Sequence, residues 1–99
     1  MHVLIKWKEL IYAIKNNMES VALKLLEREE ININQVDEDE NTALIYACYN
    51  KMESVALKLL EREEININQV NKKEKTALDY AIENNIENVI KRIKELNNK

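Results

Sequence analysis

The residues that could do chemistry are few. Cys48 is the single cysteine and His2 the single histidine of a chain of 99 residues. A nucleophilic thiol needs a nearby base or an electropositive cradle to form its thiolate. The surrounding TALIYACYN supplies neither, so Cys48 reads as a small, buried, inert hydrophobe. His2 reads as a terminal residue without a partner. One cysteine excludes an internal disulfide, and with one terminal histidine it leaves no zinc site. A chain with no glycine has no glycine-rich phosphate loop. Aspartates and glutamates abound, but no pocket-forming pattern accompanies them to set an acid against a base. The expectation is a protein without catalytic activity, metal or cofactor.

Two features suit contact better than reaction. Tyr12, Tyr46 and Tyr80 recur at intervals of 34 residues. On stacked helices they would lie about 10 Å apart. Such a ladder can anchor a partner, or its rings can pack between neighbouring helices with their hydroxyls at the surface, which is the favoured reading. Successive turn tips carry opposite charges, Glu38, Asp39 and Glu40 in one and Lys72, Lys73 and Lys75 in the next. If adjacent they attract, although exposed pairs contribute only about 0–1 kcal/mol each.

The totals bound the class. A net charge of −3 gives no electrostatic reason for a nucleic-acid surface. Lys6, Lys8 and Glu9 interrupt what would be the apolar stretch of a secretion signal, and no apolar run is long enough for a membrane span. A single cytoplasmic domain is the expectation, and a monomer.

The elements that would position these residues follow from one repeat. Residues 18–36, MESVALKLLEREEININQV, recur unchanged as residues 52–70. Met18, Val21, Ala22, Leu25 and Leu26 form one helical stripe, and Met52, Val55, Ala56, Leu59 and Leu60 form it again. Before each copy lies a shorter helical pattern, LIYAIKN at 10–16 and ALIYACYN at 43–50; a third, ALDYAIEN at 77–84, precedes IENVIKRIKEL. Three helix pairs result. Breaks at Asn16-Asn17, Asn50-Lys51 and Asn84-Asn85 are short enough to make each pair antiparallel, and Asn tolerates the left-handed conformation that ends a helix. Between pairs, ININQVDEDEN and ININQVNKKEK have no helical period and read as extended turns. Thr42 and Thr76 stand at helix N-caps, and Thr76 with Asp79 resembles a capping box.

A period of 34 is that of tetratricopeptide units, but their aromatic, Gly and Pro landmarks and uniformly short joints are missing. The residues resemble instead the ankyrin repeat: Asp37, Thr42-Ala43-Leu44, Ala47-Cys48, Glu53, Val55, Leu59-Leu60 and Ile65-Asn66-Ile67-Asn68, with Thr76-Ala77-Leu78, Ala81 and Val89 repeating parts of it. Departures are Ala43 and Ala77 for the family's Pro, Ile45 and Asp79 for its His, and Glu40, Glu74 and Lys51 for its Gly. Each Pro-to-Ala or Gly-to-Glu change costs about 1 kcal/mol where the special dihedral is still required. The glutamate doublets at 29–30 and 63–64 lengthen the unit by one residue, which would let the chain turn after the second helix without Gly.

The resemblance implies an all-α solenoid of three stacked helix-turn-helix repeats with extended β-type turns between them: an N-terminal capping unit at 1–36, an internal unit at 37–70 and a C-terminal capping unit at 71–99. Hairpins of this size cannot bury their stripe alone, so each supplies its neighbour's wall. Trp7 would either seal the first unit, the favoured reading, or begin the recognition surface. The family's mode of action implies a noncatalytic module that binds another protein through turn tips and first helices. By position, that surface comprises Glu38, Asp39, Asn41, Tyr46, Tyr49 and Asn50, with Lys72, Lys73, Lys75, Asp79 and Glu83 in the next unit. The fidelity of the copy fits a second possibility, a recently duplicated, designed or consensus-type scaffold with no selected partner.

Overall fold

A computed structural model describes the backbone of residues 2–28 and 30–98 and the side chains of those from Trp7 onward. The side chain of His2, and Glu29 of the first glutamate doublet, lie outside the described residues. Six helices follow in order: α1 (His2–Lys15), α2 (Glu19–Leu25), α3 (Ala43–Tyr49), α4 (Glu53–Leu60), α5 (Ala77–Glu83) and α6 (Glu87–Asn97). No strand occurs among the described residues. Four of the helices have only seven or eight residues, too short to persist alone, so packing must supply their stability.

That packing is linear. α1 pairs with α2, α3 with α4 and α5 with α6; α3 also touches α1 and α5, and α4 touches α2 and α6. α1 does not reach α5, nor α2 reach α6, so the hairpins stand in file and do not gather around a centre. This is an all-α solenoid. Leu10, Ile14, Leu44 and Ala47 fill the space between first helices, and Ala22, Val55, Leu59 and Val89 fill that between second helices, all at most 1% exposed. Complete burial of one such aliphatic side chain contributes about 1.5–3 kcal/mol. Trp7 is buried in this core, as the sealing role requires. Cys48 is fully enclosed, and burial pushes its thiol up to about 12, which leaves almost no thiolate at neutral pH.

The helix ends show how a chain without glycine makes these turns. After α1 the Met18 N–H donates to the Ala13 carbonyl at 2.8 Å and the Asn17 N–H to Ile14 at 3.1 Å, the two bonds of a Schellman ending. Met52 and Lys51 close α3 on Ala47 and Cys48 in the same way, and Ile86 and Asn85 close α5 on Ala81 and Ile82. The motif needs one left-handed residue, and it falls on Asn17, Lys51 and Asn85, with φ of 58°, 60° and 57°. Asparagine side chains then tie adjacent hairpins together. Asn50 Nδ2 donates to the Ile14 carbonyl at 2.7 Å, and Asn84 Nδ2, the equivalent atom one hairpin on, donates to the Cys48 carbonyl at 2.9 Å. Each therefore satisfies a helix-end carbonyl of the hairpin before it.

After α4 the chain turns without any left-handed residue: Glu61 caps the helix at φ −77°, and no residue from 61 to 70 has positive φ. Arg62 holds this corner, donating to Glu64 Oε2 at 2.8 Å and to the Ile31 carbonyl of the preceding elbow at 3.3 Å. The longer turn at the second doublet thus replaces the glycine expected there.

The stripe of the second helices is not buried alike in its two copies. Met52, Val55, Ala56, Leu59 and Leu60 are all buried, whereas Met18 and Val21 are 39% and 43% exposed. α4 has a neighbour on each side, but α2 has only α4 beyond its own hairpin.

Candidate functional site

The two turn tips are built by one side chain each. Asp37 Oδ1 accepts from the Asp39 and Asn41 N–H groups, both at 3.0 Å, while the Glu40 N–H closes the turn on the Asp37 carbonyl at 3.0 Å. Asn71 does the same for the Lys73 and Lys75 N–H groups at 2.9 and 3.0 Å. These are Asx turns, and each exits through a left-handed residue, Glu40 at φ 63° and Glu74 at φ 62°. The tips lie side by side, with the Lys72 N–H donating to the Asp39 carbonyl at 3.0 Å and Asn71 Nδ2 to Asn41 Oδ1 at 2.8 Å. Their opposite charges are therefore neighbours, yet no ion pair joins the two tips among the described residues.

The same two residues pin the tyrosines. The Tyr46 hydroxyl donates to Asp37 Oδ2, and Asn71 Nδ2 donates to the Tyr80 hydroxyl at 3.2 Å. Lys15 Nζ lies 5.4 Å from the centre of the Tyr46 ring, and Lys75 Nζ lies 5.6 Å from that of Tyr80. The ladder is graded, with Tyr12 64% exposed, Tyr46 half-buried and Tyr80 7% exposed. Tyr46 and Tyr80 pack between elements as the favoured reading held, but their hydroxyls are spent inside the protein.

Burial and the bond to Asp37 push the Tyr46 hydroxyl up to about 12. For Asp37, burial would raise the carboxyl, but the Tyr46 hydroxyl, the Asn41 and Asp39 N–H groups and Lys15 outweigh it and hold the group below its ordinary 3.8. A depressed carboxyl contributes stability that is present above the unfolded value and lost as pH falls through the folded one. Asp37→Asn, which copies Asn71, should therefore lose less stability than the parent as pH is lowered below 3.8. Urea midpoints measured down this range for both proteins check it; parallel curves would contradict the assignment.

Between these tips and the helices α3 and α5 runs a groove of about 310 Å³, lined by Asp39, Asn41, Ile45, Tyr46, Tyr49, Asn71, Lys72, Lys73 and Tyr80. Its volume is at the lower end of ligand pockets, room for a side chain of a partner. Tyr49 is 58% exposed and meets Tyr80 edge to face, ring centres 5.3 Å apart. Six residues named from sequence converge here: Asp39, Asn41, Tyr46, Tyr49, Lys72 and Lys73. Five do not line the groove. Glu38 is exposed at the tip, Asn50 is engaged with the Ile14 carbonyl, and Lys75 pairs with Glu83. Asp79 completes the capping box, accepting from the Thr76 N–H at 2.8 Å. Ile45 and Asn71 are lining residues that sequence reasoning missed. The signal for Asn71 was its place one period after Asp37; Ile45 gave none.

No group of three or more His, Cys, Asp or Glu that could hold a metal ion occurs among the described residues. Nor is any described helix long and apolar enough to cross a membrane.

A file of helical hairpins with its turn tips and first helices aligned along one edge is a repeat protein built for contact. The chain belongs to the ankyrin repeat family: the model of that family, ankyrin repeats in three copies, matches residues 10–98. No curated protein matches the chain. Among solved structures it is similar to one described as the Bd0816 predatory endopeptidase from Bdellovibrio bacteriovorus in complex with immunity protein Bd3460, with a TM-score of 0.73 and 23% identity over 87% of this chain and 44% of that one. This chain thus spans less than half the length of the one it matches, and at that identity the likeness shows the fold alone. Ankyrin repeats are protein-interaction modules, and the family is generally noncatalytic.

Proposed function

We propose that this protein is a noncatalytic cytoplasmic adaptor that binds a segment of another protein in the groove between α3 and α5, under the turn tips. The observation that carries this reading is how the polar groups are spent. Asp37, Asn71 and the Tyr46 and Tyr80 hydroxyls are satisfied internally, so the groove keeps its shape without a ligand and pays little ordering cost on binding. What remains for a partner is the exposed Tyr49 ring, with Lys72 and Lys73 on one bank and Asp39 on the other. An aromatic anchor in a preformed recess with charges at its rim is the usual arrangement of a binding hot spot. A rim of both signs and an acidic whole argue against nucleic acid. Glu38, Lys75, Asp79 and Glu83 belong to the outer part of the proposed surface, and Asn50 to its support.

The experiment is capture from cell lysate by the parent and by a Tyr49→Ala, Lys72→Glu, Lys73→Glu variant, both of unchanged circular dichroism. Proteins held by the parent should be lost from the triple variant by tenfold or more. The reading fails if the same proteins are retained equally.

The unchanged copy of residues 18–36 at 52–70 favours a second reading, a duplicated or designed scaffold with no selected partner. It predicts negligible capture by both proteins.

A further inference from the structure

The two turn tips that bound the groove are the same turn carrying different charges. Asp37 and Asn71 each accept two backbone N–H groups through Oδ1 and one through the carbonyl, and each turn exits left-handed at Glu40 or Glu74. Folding therefore makes one demand of both tips. Some of the differences between them are absorbed by the structure: Asn41 accepts from the Asn71 amide, and Lys75 pairs with Glu83. Glutamate stands at the exit of both. The reversal of sign from Glu38 and Asp39 to Lys72 and Lys73 is used by neither turn, and it comes within three residues of a stretch that is identical in the two units.

The protein itself takes up none of these four charges. All four side chains are exposed, and none enters an ion pair or a side-chain hydrogen bond among the described residues. This holds although the tips touch, the Lys72 N–H donating to the Asp39 carbonyl at 3.0 Å. Asp39 lines the groove from one bank and Lys72 and Lys73 from the other, with the exposed Tyr49 ring in the same lining. Lys8 and Lys15 share a separate recess with Glu38 and Asp39, Lys15 lying against the Tyr46 ring, and neither lysine lines the groove. The groove thus offers carboxylate on one side and ammonium on the other.

A partner that covers this edge takes those charges out of water, and each then needs an opposite charge to replace its hydration. A uniformly acidic segment would set like charge against Glu38 and Asp39. A uniformly basic one would do so against Lys72 and Lys73. Either mismatch is a means of rejection. We propose that the groove takes a short segment of a partner protein that carries both signs. An apolar or aromatic side chain of it sits against Tyr49, an acidic residue turns to Lys72 and Lys73, and a basic residue turns to Glu38 and Asp39. Because the tips are hydrogen-bonded neighbours, the three fall within a few residues of one another. The inference rests on the binding function proposed above and adds the chemistry of the segment that fills the groove.

The test is panning of a phage-displayed random heptapeptide library on the full chain. Two charge variants of unchanged circular dichroism accompany it, Lys72→Glu with Lys73→Glu, and Glu38→Lys with Asp39→Lys. Peptides enriched on the parent should carry an acidic and a basic residue around an apolar or aromatic one. Those enriched on the first variant should turn basic, and those on the second acidic. For a synthetic peptide from the parent selection, replacing its acidic residue by alanine should weaken binding to the parent tenfold or more. The same replacement should change binding to the Lys72→Glu, Lys73→Glu variant less than twofold, or strengthen it. Peptides of one sign alone, or peptides indifferent to the tip charges yet lost on Tyr49→Ala, would overturn the inference and leave the groove as a binding site. A parent that enriches nothing beyond the Tyr49→Ala, Lys72→Glu, Lys73→Glu variant would overturn both.

Discussion

Leu59→Ala should destabilise the protein by about 3 kcal/mol, and Leu25→Ala by less than half as much, although both sit in the same nineteen-residue sequence. Leu59 is fully buried, with α2 on one side of its helix and α6 on the other, so its removal loses transfer energy and leaves a cavity the neighbours fill only in part. Leu25 is half-buried at the open end, where solvent reaches the vacated space. For a domain of this size, about 3 kcal/mol lowers the thermal midpoint by more than 10 °C. Thermal and urea unfolding measure the two costs. Equal losses would mean that the two copies do not occupy the different places in the file assigned to them.

The second large effect is a gain. Glu40, Lys51 and Glu74 hold φ of 63°, 60° and 62°, a region that costs a residue with a Cβ about 1 kcal/mol relative to glycine. Their backbone hydrogen bonds require that conformation: Glu40 and Glu74 leave the Asx turns, and Lys51 is the left-handed residue of the Schellman ending. Glu40→Gly, Lys51→Gly and Glu74→Gly should each stabilise the fold by about 1 kcal/mol. The triple variant should gain roughly 2–3 kcal/mol, some reduction from additivity being expected where the tips adjoin. Glu38→Gly, at a position without positive φ, should destabilise instead, because there glycine only enlarges the freedom of the unfolded chain. Chemical denaturation midpoints decide; a triple variant no more stable than its parent would show that these positions are not held left-handed in solution.

Much of this architecture is legible in the letters because it is local or periodic. The stripes of α2 and α4, the breaks at Asn17, Lys51 and Asn85, the capping box at Thr76 and the non-helical elbows each follow from residue types within a few positions of one another. Even the left-handed Glu40 and Glu74 follow, since they stand where the family's turns place glycine. What was not legible is whatever depends on a neighbour in space. Identical stripes cannot reveal that Val55 is covered and Val21 is not, because that is decided by hairpins elsewhere in the file. The ties from Asn50 to Ile14 and from Asn84 to Cys48 were equally hidden. An amide at a helix end looks like a solvated stop signal until the preceding hairpin presents its carbonyl. The candidate groove shows both sides of this. Tyr46, Tyr49 and the tip charges could be named from family position, whereas Asp79 and Glu83, named in the same way, turned out to serve the cap and the ion pair with Lys75.

The central claim is that the three hairpins stand in file, each covering the next. Methyl and aromatic nuclear Overhauser contacts test it most directly. The account predicts cross-peaks linking α1 to α3, α3 to α5, α2 to α4 and α4 to α6, with none between α1 and α5 or between α2 and α6. Strong cross-peaks from Leu10 or Ile14 to core side chains of α5 would contradict it, because they would place the hairpins around a common centre.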